Sequence, residues 1–294
     1  ALTPDGFVVS GGAVVTNNRY TWIAFEGSNC SATGVFCTRA YIGNGTSPRA
    51  ISTVGFQPDL VVAKRTTAVD GAWRTSSMGT NVAQFFSATV QETGGANFTT
   101  LDATGFTVGA TLNTTSAVYY YFAFKSTAGS INVGTYTGNA TDNRNITGVG
   151  FVPDFLFVKN TTTTATAAVF NIDEMYGDLT NYFTATAPLA NSIQALQSDG
   201  FQIGTDGTVN TNANVYYYAA FGVTSALSNG SGTFTMATGS YVGNGNYQLF
   251  TGLKFSPDLV IIKGNTAQAG VFRTRNMGGD STAYLDSATA NLAG

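Results

Sequence analysis

Histidine is absent from the 294 residues. A Ser-His-Asp triad, a Cys-His dyad and a His-ligated zinc all need imidazole, so those chemistries are excluded. The acids left over are sparse. Asp173-Glu174 is an adjacent acidic pair with no further acid or base beside it, and so reads as a solvated loop rather than a general acid–base couple. Asp59, Asp154 and Asp258 each follow a proline (Pro58, Pro153, Pro257) and precede an apolar run, and Lys64, Lys159 and Lys263 stand five residues on. Calcium at the Pro-Asp turns is the sharper reading, but calcium wants several oxygen ligands and one acid per turn is evident. Turn capping by Asp and solvation of Lys at the strand end is the plainer expectation. Residues five apart on a strand lie on opposite faces, so no Asp–Lys pair is implied. The glycines of Tyr41-Ile-Gly-Asn-Gly and Tyr241-Val-Gly-Asn-Gly lack the Gly-Lys-Ser/Thr ending of a phosphate loop. Tyr119–Tyr121 and Tyr216–Tyr218 offer aromatic faces for sugar stacking, or for packing between units. No catalytic residue, metal site or cofactor is expected.

The two cysteines, Cys30 and Cys37, have six residues between them. A disulfide there would pin a tight surface loop, with a modest entropic gain because the loop is short. Two reduced thiols are the alternative. Eight Asn-x-Ser/Thr sequons, at Asn29, Asn44, Asn97, Asn113, Asn139, Asn145, Asn160 and Asn229, also suit an extracellular setting.

The elements that must carry these residues repeat. Gly55-Phe-Gln-Pro-Asp-Leu-Val-Val-Ala-Lys, Gly150-Phe-Val-Pro-Asp-Phe-Leu-Phe-Val-Lys and Lys254-Phe-Ser-Pro-Asp-Leu-Val-Ile-Ile-Lys are three copies of one motif. A Tyr-x-Gly-Asn motif precedes it at Tyr41, Tyr136 and Tyr241. An aromatic and a Met follow it at Trp73/Met78, Phe170/Met175 and Phe272/Met277. A Gly-Phe turn recurs at Phe7, Phe106 and Phe201, and an aromatic strand ends at Phe25, Phe124 and Phe221. A period near 100 residues holding five motifs in one cyclic order marks a repeat architecture. The apolar runs are short, rich in β-branched and aromatic residues, and separated by Gly-rich turns, which is the pattern of an all-β sandwich. Tyr119 and Tyr121 fall on one face of their strand and Tyr120 and Phe122 on the other, as a central strand or an inter-unit face requires. Residues 188–198 are expected to hold at most a turn of helix.

The fold class is therefore all-β, with three tandem jelly-roll-like sandwich units. Unit A covers 41–126 and unit B 134–223. The third unit, C, starts at 239 and is incomplete, lacking the Gly-Phe turn and the aromatic strand. Those two pieces make up the amino-terminal arm, 1–29. Segments 30–40 (with the cysteines), 127–133 and 224–238 read as linkers. Left alone, unit C would expose unpaired strand edges and the arm would expose Phe7, Trp22, Ile23 and Phe25. Both problems vanish if the arm completes unit C, within the chain or by donation to a neighbour; the third possibility is a piece of a longer array. The chain opens on Ala1 without a signal peptide and is expected to be a processed product or a fragment.

Composition bounds the function. Thirteen Lys+Arg against sixteen Asp+Glu gives a net charge of −3, with no footprint for a nucleic-acid backbone. No apolar run is long enough to span a membrane. Gly148-Val-Gly-Phe-Val-Pro-Asp-Phe-Leu-Phe-Val-Lys159, Gly105-Phe-Thr-Val-Gly109 and Tyr119-Tyr-Tyr-Phe-Ala-Phe-Lys125 resemble a repeat of tailed-phage virion proteins that have jelly-roll or concanavalin-like sandwiches. The resemblance covers all three units and carries over no site. It implies a non-enzymatic structural role at a virion surface, as a capsid decoration, tail or fibre component. The partners would be copies of the chain, other virion or surface-structure proteins, and glycans. The alternatives are a subunit of an extracellular filament or surface layer polymerised by strand donation, and a glycan-binding adhesin module.

Overall fold

The computed structural model describes residues 1–66, 69–161, 166–175, 177–222, 227–228 and 233–286. Among them the chain is strand and turn with two short 3-10 segments, Gly11–Val14 and Thr111–Asn113. None of its helices is long and apolar enough to cross a membrane.

Each unit is a large sheet of five or six strands faced by a small sheet of three. In unit A the aromatic strand Val118–Phe124 lies between Phe36–Ile42 and Leu60–Arg65. In unit B Val215–Phe221 lies between Ile131–Thr137 and Phe155–Asn160. In unit C that central place belongs to Arg19–Glu26 of the arm, flanked by Thr233–Val242 and Leu259–Gly264. Gly6–Val9 likewise joins the small sheet, with Phe7 opposite Phe250. The arm thus closes unit C within one chain. It buries all four of its expected residues, Phe7, Trp22, Ile23 and Phe25.

Strand periodicity divides the aromatics between two kinds of core. Tyr119 and Tyr121 point between the two sheets of unit A, beside Phe98 and Phe106. Units B and C have matching clusters around Tyr216 and Tyr20. Phe122 and Phe124, one residue out of phase, point the other way into a single cluster fed by all three units. At its centre Phe25, Phe124 and Phe221 meet, with ring centroids 5.2, 5.5 and 4.9 Å apart around the triangle. The units are three wedges around a shared aromatic axis. One backbone bond at each seam closes the ring: Ala168 N–H to Phe86 O, Gly270 N–H to Phe183 O and Gly71 N–H to Leu285 O, at 3.0, 2.6 and 3.0 Å.

The glycine of the Gly-Phe turn is required by close approach. A Cβ at Gly6, Gly105 or Gly200 would overlap the carbonyl oxygen of Phe250, Ile51 or Ile146 on the neighbouring strand, and φ is +152° at Gly6 and +145° at Gly200.

Three boundaries shift. Strands run into the expected linkers, since Phe36–Ile42, Ile131–Thr137 and Thr233–Val242 begin within 30–40, 127–133 and 224–238. The central strand needs a partner along its whole length, and that demand extends pairing past the Tyr-x-Gly-Asn motif. Residues 188–198 form strands Leu189–Ala190 and Ile193–Gln197 rather than a helical turn, because sheet partners at Leu179–Thr180 and Gly200–Ile203 are available to them.

Candidate functional site

The recurring polar residues turn inward. Asp258 accepts backbone N–H bonds from Gly27 (2.9 Å) and Ser28 (2.8 Å), and Asp59 accepts one from Ser126 (2.8 Å). The backbone N–H of Asp59, Asp154 and Asp258 donates to the carbonyls of Phe124, Phe221 and Phe25, each at 2.7 Å. The Pro-Asp turn therefore clamps the end of the central strand. Pro58, Pro153 and Pro257 are buried beneath it. Among the described residues no group of three or more acids and cysteines is placed to hold a metal ion.

The lysines depart from expectation. Lys64, Lys159 and Lys263 are at most 1% exposed, not solvated strand ends. Lys64 donates to Val69 O and Lys159 to Thr166 O. Lys159 also reaches across a seam to Ser87 O at 2.7 Å. Lys263 bonds Gly264 O, Thr266 O (3.0 Å) and, across another seam, Thr186 O (3.3 Å). Burial pulls each ammonium down to about 8. Carbonyl ligands make the burial tolerable, and the cations fasten loops.

Of the aromatic candidates for sugar stacking, Tyr119, Tyr121, Tyr216 and Tyr218 are core residues. Tyr120 and Tyr217 are half-buried against the central cluster. Asp173 and Glu174 are both exposed, and Asp173 accepts a 2.5 Å bond from Thr238 Oγ1 of unit C.

A concavity lies where unit C meets unit A. It is an open polar cleft of about 650 Å³ lined by Ser28, Cys30, Arg39, Asp258, Arg275 and Asn276, among others. The Cys30 and Cys37 sulfurs are bonded at 2.01 Å; Cys30 lines the cleft and Cys37 is buried behind it. Arg275 Nε pairs with Asp258 Oδ1 at 2.8 Å while its side chain stays 56% exposed. Asn276 Nδ2 donates to Thr38 O (2.9 Å), and Thr38 N–H donates to Ser28 Oγ (2.8 Å). Arg39 is exposed. The cleft can offer cationic and neutral hydrogen-bonding groups to an anionic or polyhydroxylated ligand. Arg39, Arg275 and Asn276 carried no motif. The available signal was divergence, since Arg275-Asn276 occupies the repeat position held by Ser76-Ser77 and Asp173-Glu174.

A family model described as a domain of unknown function (DUF7483) matches residues 31–135 and again 127–240. The chain belongs to that family, and the two matches fall on the stretch holding units A and B. No curated protein and no solved structure matches the chain.

Proposed function

For a member of a family without an ascribed activity, we propose a non-enzymatic structural role: a building block of an exposed assembly, as a virion decoration, tail or fibre component. One observation carries this reading. The ionisable residues that recur in every unit hold turns and seams together, as the three buried lysines do. The disulfide agrees with an oxidising, extracellular setting, and the motif resemblance supplies the virion context. Apolar side chains at strand edges supply the contact surface. Ile42 is 62% exposed and Val242 56% at strand ends, and Leu249 is 54% exposed on the edge of a small sheet. Unpaired edges bearing apolar groups are templates for pairing with another chain. A filament built by donating residues 1–29 would require the arm to leave the centre of its own sheet, so assembly is assigned to the edges instead. Light scattering over a concentration series, with negative-stain microscopy of the native source, tests this. Ordered multimers that Val242→Lys and Leu249→Lys disperse are the expected result. A single-chain mass at every concentration, with no particles carrying the protein, overturns it.

The junction cleft favours one second reading, a site for an acidic glycan. Binding on a glycan array that is lost in Arg39→Ala would support it, and a silent array would remove it.

A further inference from the structure

The small sheet of each unit ends on an open strand, and the three units treat that edge differently. In unit C the strand is Gln248–Thr251, paired on one side with Gly6–Val9. Val8 exchanges backbone bonds with Ala1: its N–H donates to Ala1 O at 2.7 Å, and its carbonyl accepts from the Ala1 amino group at 3.1 Å. Antiparallel bonds alternate along a strand, so Phe7 and Phe250 are a bonded pair, and the N–H and C=O of Leu249 and Thr251 point out from the sheet. The Tyr247 N–H has no acceptor among the described residues. Pairing fixes the counterparts. Ala50, Asn145 and Leu249 stand opposite Thr107, Gln202 and Val8, so Pro48, Asn143 and Tyr247 match two residues earlier. Units A and B block the edge at that place. Pro48 has no N–H to offer, and the Asn143 N–H is taken by Asp142 Oδ1 at 2.9 Å. Unit A also carries Arg49 on this strand, and unit B has Asp142 and Arg144, whereas residues 243–253 hold no charge. Tyr247 is 67% exposed beside the exposed Leu249. Charge and proline are the usual guards of a sheet edge, and unit C alone lacks both.

We propose that this edge pairs with the same edge of a second copy, antiparallel, with Leu249 opposite Leu249 across a twofold axis. Charge and register favour a second copy as the occupant. An isologous contact sets a patch against itself, and a strand without charge can meet itself without repulsion or a buried ion. About that axis Tyr247 falls opposite Thr251 and Gly245 opposite Leu253. The outward N–H and C=O groups of Leu249 then satisfy those of its mate. Alternation puts Val8 and Leu249 on the outer face, where the two copies join them into one apolar strip. Two small sheets of three strands become one of six. The pairing rests on the reading of the chain as an assembling structural component, and it names the edge and the symmetry.

Single cysteines test it, with units A and B as controls, because Cys30 and Cys37 are bonded to each other and leave no free thiol. Leu249→Cys should form an intermolecular disulfide under mild oxidation at least ~10-fold faster than Ala50→Cys or Asn145→Cys. A bonded antiparallel pair holds its Cα atoms about 5.5 Å apart, within the span of a disulfide. Tyr247→Pro, which copies the block in unit A, should weaken the dimer about tenfold in a light-scattering dilution series. Amide exchange on the unaltered chain identifies the occupant. Protection of the Leu249 and Thr251 amides that rises with protein concentration is the expected result. Protection that dilution does not change assigns the edge to another stretch of the same chain and overturns the proposal. Free exchange in the purified chain, with protection only in particles from the native source, assigns it to a different protein and also overturns it. Multimers that cross-link equally at positions 50, 145 and 249 overturn this edge and leave assembly standing, whereas a single-chain mass at every concentration removes both.

Discussion

Units A and B are written in consecutive sequence, whereas unit C is assembled from the two ends of the chain, yet the same contacts form in all three. Tyr41 stacks on Tyr119, Tyr136 on Tyr216 and Tyr241 on Tyr20, with centroids 4.9, 5.1 and 5.0 Å apart and rings within 13° of parallel. Each first-named hydroxyl donates to a carbonyl of the turn before the aromatic strand, at Leu112, Val209 and Ala13. The differences lie in the polar knot beneath. The buried Asn113 carboxamide accepts from Asn44 N–H (3.1 Å) and Arg49 (2.9 Å), and Asn210 accepts from Asn139 N–H (2.9 Å) and Arg144 (3.5 Å). Unit C has Val14 in that place, and Gln248 rather than an arginine reaches the Val242 carbonyl. The wedge therefore depends on its aromatic packing and ladder register. Chain continuity and the Asn–Arg knot are dispensable once the apolar face is right.

The strongest way to break the comparison is to delete residues 1–29. Unit C then loses its central strand and the axis loses Phe25, so cooperative unfolding should disappear in a urea titration followed by circular dichroism. Next come the axis residues singly. Phe25→Ala, Phe124→Ala and Phe221→Ala should each cost about 3–5 kcal/mol, and near-equal losses in urea would establish that the split wedge bears the same load as the continuous ones. Asn113→Val should cost ~2 kcal/mol because Arg49 and the Asn44 amide lose their acceptor. Adding Arg49→Gln, as unit C has it, should recover most of that loss in a double-mutant cycle.

Smaller effects separate the units further. Asp286 stands in unit C beside the position of Ser87 and Thr184, and burial raises its carboxyl from 3.8 to about 6. A folded-state value above the unfolded one favours folding while the group is protonated. That contribution is present below about 4 and is lost as pH rises to about 6. Asp286→Ser should flatten this part of the stability profile, by roughly 2 kcal/mol between pH 4 and pH 7, as read from urea midpoints. Replacing Cys30 and Cys37 by serine should cost least, ~1–2 kcal/mol, because the closed loop is short. Differential scanning calorimetry of the double variant measures it.

Much of this was legible in the sequence. The phase of five repeating motifs placed the arm in unit C, and the alternation of Tyr119, Tyr120, Tyr121 and Phe122 announced a strand with two apolar faces. The common axis was not legible, because a linear repeat tells how a unit folds but not that its second face meets two others at one point. The lysines were misread for a related reason. A cation after an apolar run normally reaches water, and what holds Lys159 instead is a pair of carbonyls in loops that carry no motif. The polar cleft was invisible since Arg39 and Arg275 are far apart in the chain and become neighbours only once the arm has brought the ends together.

The triangle of Phe25, Phe124 and Phe221 also fixes how many units can share this one axis. A lone wedge would present an open aromatic flank to water, two would leave a gap along it, and a fourth would find the centre already filled. Change in such a body is channelled outward, to the turns and small sheets farthest from the axis, where side chains can vary without altering the count.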